Sequence, residues 1–165
     1  MHTPKVVAAG AKNHDERMSC VLAVGYPCSM NSSADHLVEQ YLDALRRADV
    51  DAVLTLFAPG AVVHSPLYGP TPASDFYRAL FADTSGATLT SKGVAEGRTS
   101  EGARLVTFWF HFDWRLPSGV AAPFDVVDVA ELDENGRISA LSIVYDTVDV
   151  RPVFERETGS SWRST

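Results

Sequence analysis

The fold is decided by the stretch Leu37–Ala58, which reads LVEQYLDALRRADVDAVLTLFA. Its first half places apolar residues at helical spacing, namely Leu37, Val38, Tyr41, Leu42 and Leu45. This spacing predicts an amphipathic helix over Ala34–Ala48. A second, shorter helix that begins at Asp49 or Asp51 and ends at Pro59-Gly60 is predicted to follow it.

The rest of the chain changes from helical spacing to alternation. Apolar residues at helical spacing predict a third helix at residues 73–82, and the end of the chain has the pattern of a short fourth one. Alternating β-branched, aromatic and polar residues predict the strands 61–65, 88–95, 104–116, 120–132 and 137–146. Helices first and strands later indicate an α+β fold, in which three helices cover one face of a curved antiparallel sheet.

Composition limits the partners that this chain is expected to have. The 165 residues carry a formal net charge of −7, and 45% of them are hydrophobic. A globular domain is predicted, because no apolar run is long enough to cross a membrane and the charge does not favour nucleic acid. The apolar stretch that begins at Cys20 follows acidic residues and is broken by Gly25 and Pro27, unlike a secretory signal, so we expect a cytoplasmic protein.

The reactive residue types are unevenly distributed. Both cysteines, Cys20 and Cys28, lie in the first thirty residues, and from Met30 onward the only lysine is Lys92. This excludes a cysteine nucleophile and a thiolate zinc site from the body of the chain. Carboxylates, imidazoles and tyrosines remain, which favours acid/base chemistry with no cofactor and no metal. We expect a poorly ordered extension over 1–31, a single domain over 32–157 and a tail over 158–165.

Three stretches carry a family resemblance. Leu37–Ala58, Ala61–Pro66 and Asp128–Ile138 are similar to the ketosteroid isomerase and polyketide cyclase superfamily. The resemblance extends over about residues 34–154 and implies the cone-shaped α+β fold of nuclear transport factor 2. It also implies a deep apolar pocket between helices and sheet, and a homodimer.

The same resemblance implies roles for individual residues. Steroid isomerases stabilise an enolate with a tyrosine on the first helix and a protonated aspartate on a central strand, and Tyr41 and Asp128 match these positions. The position of the carboxylate base falls on Ser65. Because serine cannot act as that base, the resemblance does not imply steroid-type isomerisation.

The second half of the chain is also similar to limonene-type epoxide hydrolases, in the stretches Arg104–Thr107, Leu116–Gly119 and Ser142–Asp146, and Leu116-Pro117 sets the register of the comparison. Their base, an aspartate on the last strand, matches Asp146, and His111 stands where they keep an acidic proton donor. Their arginine position falls on Trp109. Their water-holding tyrosine and asparagine fall on Val63 and Ser65. Of these catalytic positions, Asp146 alone has the same residue type in this chain.

The residues themselves leave several alternatives open. Asp128 shares strand parity with an apolar row, so it is predicted to be either paired or neutral, and burial without a cation raises the pKa of a carboxyl. Tyr41 is either a core tyrosine or a pocket donor, and Asp146 is either a pocket base or a cap for the following turn. Alternation turns His111 to solvent, whereas the epoxide-hydrolase register turns it to the pocket.

The remaining candidate positions are assigned to substrate binding. Asp113 lies two residues after His111 on the same strand face, which suits either a His-Asp pair or an ion pair with Arg115. Trp109 is predicted to lie in the cavity wall, and Phe57, on the second helix, belongs to an aromatic set that suits a flat ligand or an ordinary core. Val63 and Ser65 complete the set.

These observations predict a cofactor-free acid/base enzyme that acts on a small, largely apolar, oxygenated molecule in a cyclase-like or isomerase-like step. Asp146 is the predicted base, His111 its partner, and Tyr41 with Asp128 the oxyanion side. Epoxide opening by water and a non-catalytic ligand-binding or scaffold module are the alternatives. A homodimer through the outer face of the long strands is expected.

Overall fold

The computed structural model describes residues 33–163, so the predicted extension over 1–31 lies outside the described residues. Four helices and six strands make up this part of the chain. In chain order they are α1 (Ser33–Arg46), α2 (Val50–Leu54), β1 (Phe57–Ser65), β2 (Gly69–Pro72), α3 (Ala73–Ala82), β3 (Gly86–Arg98), β4 (Arg104–Arg115), β5 (Phe124–Leu132), β6 (Ile138–Val144) and α4 (Val150–Thr158). The predicted α+β class is confirmed.

The first two helices form where the sequence pattern predicts them. The apolar stripe of α1 is buried, and Asp49 caps α2 by accepting a hydrogen bond from the backbone N–H of Ala52 at 2.9 Å. The helix α2 is shorter than predicted, because Phe57 already belongs to β1. Gly60, with φ +77°, supplies a backbone conformation that glycine adopts without strain, and the strand register shifts between Phe57 and Val62.

The six strands form one curved, unclosed sheet in the order β2-β1-β6-β5-β4-β3. All neighbours are antiparallel except β1 and β6, which pair in parallel. The predicted curved antiparallel sheet is therefore confirmed, with the one β1–β6 pair as an exception. The connection from β1 to β6 contains most of the domain, and a parallel pair requires such a long crossover. The strand β2 lies at residues 69–72, where no strand is predicted from the sequence.

One face of the sheet is covered by helices and forms the core. The inward row of β4, the strand with the strongest alternation, consists of Val106, Phe108, Phe110, Phe112 and Trp114. The buried faces of α1 and α3 pack in the same core. Strand alternation thus separates the residues of each long strand into a core set and an outward set.

The C-terminal residues return to the β1–β2 turn. The helix α4 ends at Gly159, whose φ is +89°, and the backbone N–H of Trp162 then donates to the carbonyl of Leu67 at 2.6 Å. Arg151 holds both sides of this contact, since its guanidinium donates to the carbonyls of Pro66 at 2.8 Å and Trp162 at 2.9 Å. We call residues 159–162 the C-terminal strap.

Within the described range, 33–163, no helix is long and apolar enough to cross a membrane.

Candidate functional site

A chain of three buried polar side chains links the helices to the sheet. Asp128, which is 1% exposed, lies on the inward row of β5. The hydroxyl of Tyr41 on α1 donates to Asp128 Oδ2 at 3.0 Å, and the hydroxyl of Tyr77 on α3 donates to the Tyr41 oxygen at 3.0 Å. Because all three groups are buried, each hydrogen bond orients the next group in a medium of low dielectric.

The electrostatics of Asp128 follow from its burial. Desolvation raises the pKa of the Asp128 carboxyl from 3.8 to about 7, and the hydrogen bond from Tyr41 opposes part of this rise. The other carboxyl oxygen, Oδ1, is buried and has no hydrogen-bond partner among the residues that the structure describes. Near neutral pH this carboxyl therefore exchanges readily between its protonated and ionised forms, and one of its oxygens is uncommitted.

Asp128 lies on a small cavity with an aromatic wall. The cavity has a volume of about 40 Å³, and no lysine, arginine or histidine contributes to its lining. Its lining residues are Tyr41, Leu45, Ser65, Tyr68, Phe76, Leu80, Phe110, Phe112, Trp114, Phe124, Val126, Asp128, Ile143 and Tyr145. The volume suits a few water molecules, whereas sites for drug-sized ligands span about 300–1,000 Å³. The deep pocket that the resemblance implies is thus nearly filled by side chains.

Ser65 lies at this cavity but is committed to its own loop. Its hydroxyl oxygen accepts hydrogen bonds from the backbone N–H groups of Leu67 and Tyr68, both at 3.3 Å. The side chain is 3% exposed. Ser65 therefore fixes the turn that carries Tyr68 to the cavity wall.

Two further predicted positions, Phe57 and Val63, are buried but do not line the cavity. The ring of Phe57 packs edge-on against Tyr77 with 5.4 Å between ring centroids. Val63 is 0% exposed on the central part of β1. Both residues therefore support the core behind the site and do not contact the cavity.

The structure places Asp146 outside the cavity, contrary to the expectation. The strand β6 ends at Val144, and the exposed Asp146 accepts a hydrogen bond at Oδ1 from the backbone N–H of Val148 at 3.0 Å. Strand parity explains this position, because Tyr145 continues the inward row of Leu141 and leaves Asp146 on the outward side. The turn-capping alternative describes its geometry.

His111, Trp109 and Asp113 lie on the outward row of β4, so the predicted places of Trp109 in the cavity wall and His111 at the cavity were wrong. The Nδ1 atom of His111 lies 2.7 Å from Asp125 Oδ1. Plain alternation predicted this face, and the register taken from the epoxide hydrolases did not apply.

Asp125 is the centre of a cluster on the outward face of the sheet, which also contains Lys92, His111 and Trp109. Lys92 Nζ donates to both of its carboxylate oxygens at 2.7 Å and lies 4.8 Å from the centre of the Trp109 ring. The hydrogen bonds from Lys92 and His111 hold the pKa of Asp125 below its usual value. In the described part of the chain, no group of three or more histidine, cysteine or carboxylate side chains is arranged to hold a metal.

The sequence analysis missed two tyrosines of the cavity, Tyr68 and Tyr145. The hydroxyl of Tyr68 donates to Asp83 Oδ2 at 2.8 Å, whereas the ring of Tyr145 stacks on Phe124 with 4.1 Å between centroids. Parity with the buried Leu141 is a signal for Tyr145 that the predictions above did not use. Tyr68 had no signal, because it follows β1 in a turn.

Solved structures of other proteins share this fold at low sequence identity. An NTF2-like protein of unknown function from Exiguobacterium sp. 255-15 is 18% identical with a TM-score of 0.56, over 67% of this chain and 98% of that one. TerC, crystallised with polyporic acid, is 16% identical with a TM-score of 0.61, over 75% of this chain and 99% of that one. SalBIII, an epoxide hydrolase/cyclase-like enzyme of pyran ring formation in salinomycin, is 15% identical with a TM-score of 0.58, over 78% of this chain and 95% of that one.

At such identities the structures show the fold and not the activity. Among curated proteins, none matches the sequence at a significant level. The profile of the SnoaL-like domain matches residues 38–141, which extend from α1 to β6. That match spans most of the described domain and includes Tyr41 and Asp128. The chain therefore belongs to the SnoaL-like domain family.

Proposed function

We propose that this protein is a cofactor-free acid/base enzyme that acts on a small, largely apolar, oxygenated molecule, and that Asp128 is its proton-carrying group. The observation that carries the proposal is a fully buried carboxyl with one uncommitted oxygen on an aromatic cavity. Natural proteins rarely leave a buried polar atom without a partner, because its desolvation costs about 1–3 kcal/mol. A ligand that supplies the missing hydrogen bond explains why the atom is retained.

The pKa of Asp128 suits this role. General acid/base catalysis is most efficient when the pKa of the group lies near the working pH, and burial raises the pKa of Asp128 to about 7. Tyr41 and Tyr77 orient the carboxyl through two hydrogen bonds of 3.0 Å each. Asp128 thus takes the proton-carrying role that the sequence analysis assigned to Asp146. Tyr41 keeps its place beside Asp128.

The alternative of epoxide opening by water has less support. Its two expected proton carriers, Asp146 and His111, lie outside the cavity, and the likeness to SalBIII extends to the fold alone. Asp128 would have to activate the water without their help. A cyclase-like or isomerase-like step needs one exchangeable proton in an apolar site, which Asp128 supplies.

Cavity size is the observation that favours a second candidate, a non-catalytic module. An engineered cavity that binds benzene has a volume of about 150 Å³, so a cavity of about 40 Å³ has to open before any ring enters. Of the helices α1, α3 and α4, the helix α4 is the one most suited to move, because it buries only Val150 and Phe154, whereas α1 buries six residues. Phe154 packs against Tyr68 and Trp114, which both line the cavity.

A ligand screen with matched variants tests the proposal. Small cyclic ketones, phenols and epoxides are titrated against the protein by NMR, and compounds that bind are tested for turnover. In Asp128→Asn, turnover should be lost, since the amide cannot exchange a proton with the ligand. The control Asp146→Asn also removes one carboxylate and should keep full turnover. Unchanged turnover in Asp128→Asn, or binding without turnover in the wild type, would contradict the enzymatic proposal.

The outward face of the sheet supports a homodimer, which we also propose. Trp109 is 46% exposed and Val144 is 58% exposed, although both lie on strands in the middle of the sheet. Large apolar side chains exposed on a sheet face commonly form an interface between subunits. Sedimentation should give twice the monomer mass, and Trp109→Glu should give the monomer. A monomeric wild type would contradict this proposal.

A further inference from the structure

Tyr145 lines the cavity, and the hydrogen bonds described above do not involve its hydroxyl. Its side chain is largely buried, and its ring stacks on Phe124 at an interplanar angle of 21°. Within residues 33–163, the Tyr145 hydroxyl has no hydrogen-bond partner, whereas those of Tyr41 and Tyr68 each donate to a carboxylate. A largely buried tyrosine hydroxyl usually finds a partner. Tyr145 Oη and Asp128 Oδ1 thus belong to two residues that line the same cavity, and neither atom has a hydrogen-bond partner within residues 33–163.

The hydrogen bonds around Asp128 determine which of its oxygens holds the proton. Oδ2 already accepts the hydrogen bond from Tyr41, so the proton of the neutral carboxyl belongs on Oδ1. The Tyr41 oxygen in turn accepts from Tyr77 and gives its own proton to Asp128. Tyr41 consequently has no proton left for a ligand while this chain is intact. Asp128 Oδ1 and Tyr145 Oη are the donors that remain for the cavity.

Tyr145 and Asp128 are also electrostatic neighbours. Burial raises the pKa of Tyr145, Arg151 lowers it, and the Asp128 carboxylate raises it further. Tyr145 thus stays protonated and keeps its donor across the physiological range. Lysine, arginine and histidine are missing from the described lining, so nothing there would balance a charged ligand.

We infer that Tyr145 Oη and Asp128 Oδ1 donate together to one carbonyl oxygen of an uncharged, apolar ligand, so that the site selects a ketone over the corresponding alcohol. A carbonyl oxygen has two lone pairs and no proton, which matches two donors. An alcohol brings a donor of its own, and one of the two groups must accept from it, so fewer hydrogen bonds are donated to the ligand oxygen. Tyr145 is then a catalytic residue in the sense that it touches the reacting oxygen. This inference rests on the proposed function.

A pair of small probes tests the inference. Cyclopentenone and cyclopentenol share ring size and differ at the oxygen, and their affinities are measured by NMR titration at about pH 6, where Asp128 is protonated. The wild type should prefer the ketone. Tyr145→Phe removes one hydroxyl and keeps the Phe124 stacking partner, so it should lose about three- to tenfold in ketone affinity and little in alcohol affinity.

The matched control is Tyr68→Phe. Tyr68 lines the same cavity, but its hydroxyl is already bonded to Asp83, so the ketone preference should persist in this variant. A preference that is lost in Asp128→Asn but kept in Tyr145→Phe would overturn the inference and leave the proposed function intact. A wild type that binds neither probe would overturn both. Circular dichroism of each variant establishes that it is folded.

Discussion

We expect the substitution Asp128→Asn to change how the free energy of unfolding depends on pH. The folded state holds the Asp128 carboxyl at a pKa of about 7, against an ordinary value of 3.8. Between these two values the folded chain binds a proton that the unfolded chain has lost, so the free energy of unfolding falls as the pH rises. The stabilisation is fully present below about pH 4 and is lost as the pH passes through about 7.

The magnitude follows from the size of the shift. A pKa difference of about three units corresponds to about 4 kcal/mol, because each unit is worth about 1.4 kcal/mol. Asparagine keeps the size and polarity of the side chain but cannot ionise. The free energy of unfolding of the wild type minus that of Asp128→Asn should therefore fall by a few kcal/mol between about pH 5 and pH 8.

Urea unfolding of both proteins across this range measures the difference, from which all titrations common to the two proteins cancel. The exposed residue Asp146 supplies the control, since Asp146→Asn removes one negative charge without changing the buried carboxyl. A difference between wild type and Asp128→Asn that stays constant with pH would contradict a raised pKa of Asp128 in the folded state. It would show that Asp128 titrates alike in the folded and unfolded chains.

Three other perturbations follow from the same structure. Tyr41→Phe removes the hydrogen bond that lowers the pKa of Asp128, so carboxyl-carbon NMR should show this pKa rising further. The Tyr77 hydroxyl loses its partner in this variant, which should cost about 1–3 kcal/mol of stability in urea unfolding. An unchanged pKa of Asp128 would contradict the hydrogen bond between Tyr41 and Asp128. Gly69→Ala places a Cβ 2.7 Å from Trp162 Cγ, at a residue whose φ is +75°. The substitution should therefore destabilise the wild type more than a Trp162→Ala background, where only the cost of the backbone conformation, about 1–2 kcal/mol, remains. Equal losses of stability in the two backgrounds would show that the strap does not pack on Gly69. Arg151→Gln should accelerate hydrogen exchange of the Trp162 amide by about ten- to hundredfold, because it weakens the hold of Arg151 on the strap; an unchanged rate would show that Arg151 does not hold it.

The parts of the site that local periodicity governs were predictable. Tyr41 shares a helical face with Val38 and Leu45, and the structure buries that face. Asp128 shares parity with Val126 and Ala130 on β5, and it too lies inward. In both cases the neighbours in sequence determine the orientation of the side chain, because helix and strand periods are fixed by backbone geometry.

The parts that depend on pairing over long sequence distances were not predictable. The strand β6 pairs in parallel with β1, and its register with β5 shifts between Glu131 and Leu132. Ile138 is buried, but it lies on the other side of this register shift from Asp146. The even numbering that the two residues share therefore does not place them on the same face of the sheet. A one-residue change of register exchanges the inward and outward sets, which is why Tyr145 and not Asp146 reaches the cavity.

The strand register inferred from the epoxide hydrolases was wrong for a related reason. The epoxide-hydrolase likeness placed His111 and Trp109 at the cavity, although the residues around them alternate in favour of the outward face. Similarity in a few turn residues, such as Leu116-Pro117, does not fix the phase of a strand. Alternation over the twelve residues of β4 does, because the five inward side chains bury a large apolar area.

An NMR titration of the Asp128 carboxyl carbon, assigned by comparison with Asp128→Asn, tests whether Asp128 carries a proton near neutral pH. We expect this carboxyl to titrate at a pKa of about 7, so that Asp128 holds an exchangeable proton under neutral conditions. A pKa at or below the ordinary 3.8 would mean that the buried side chain stays ionised. It would contradict both the proton-carrying role of Asp128 and its pairing with Tyr145 as a donor.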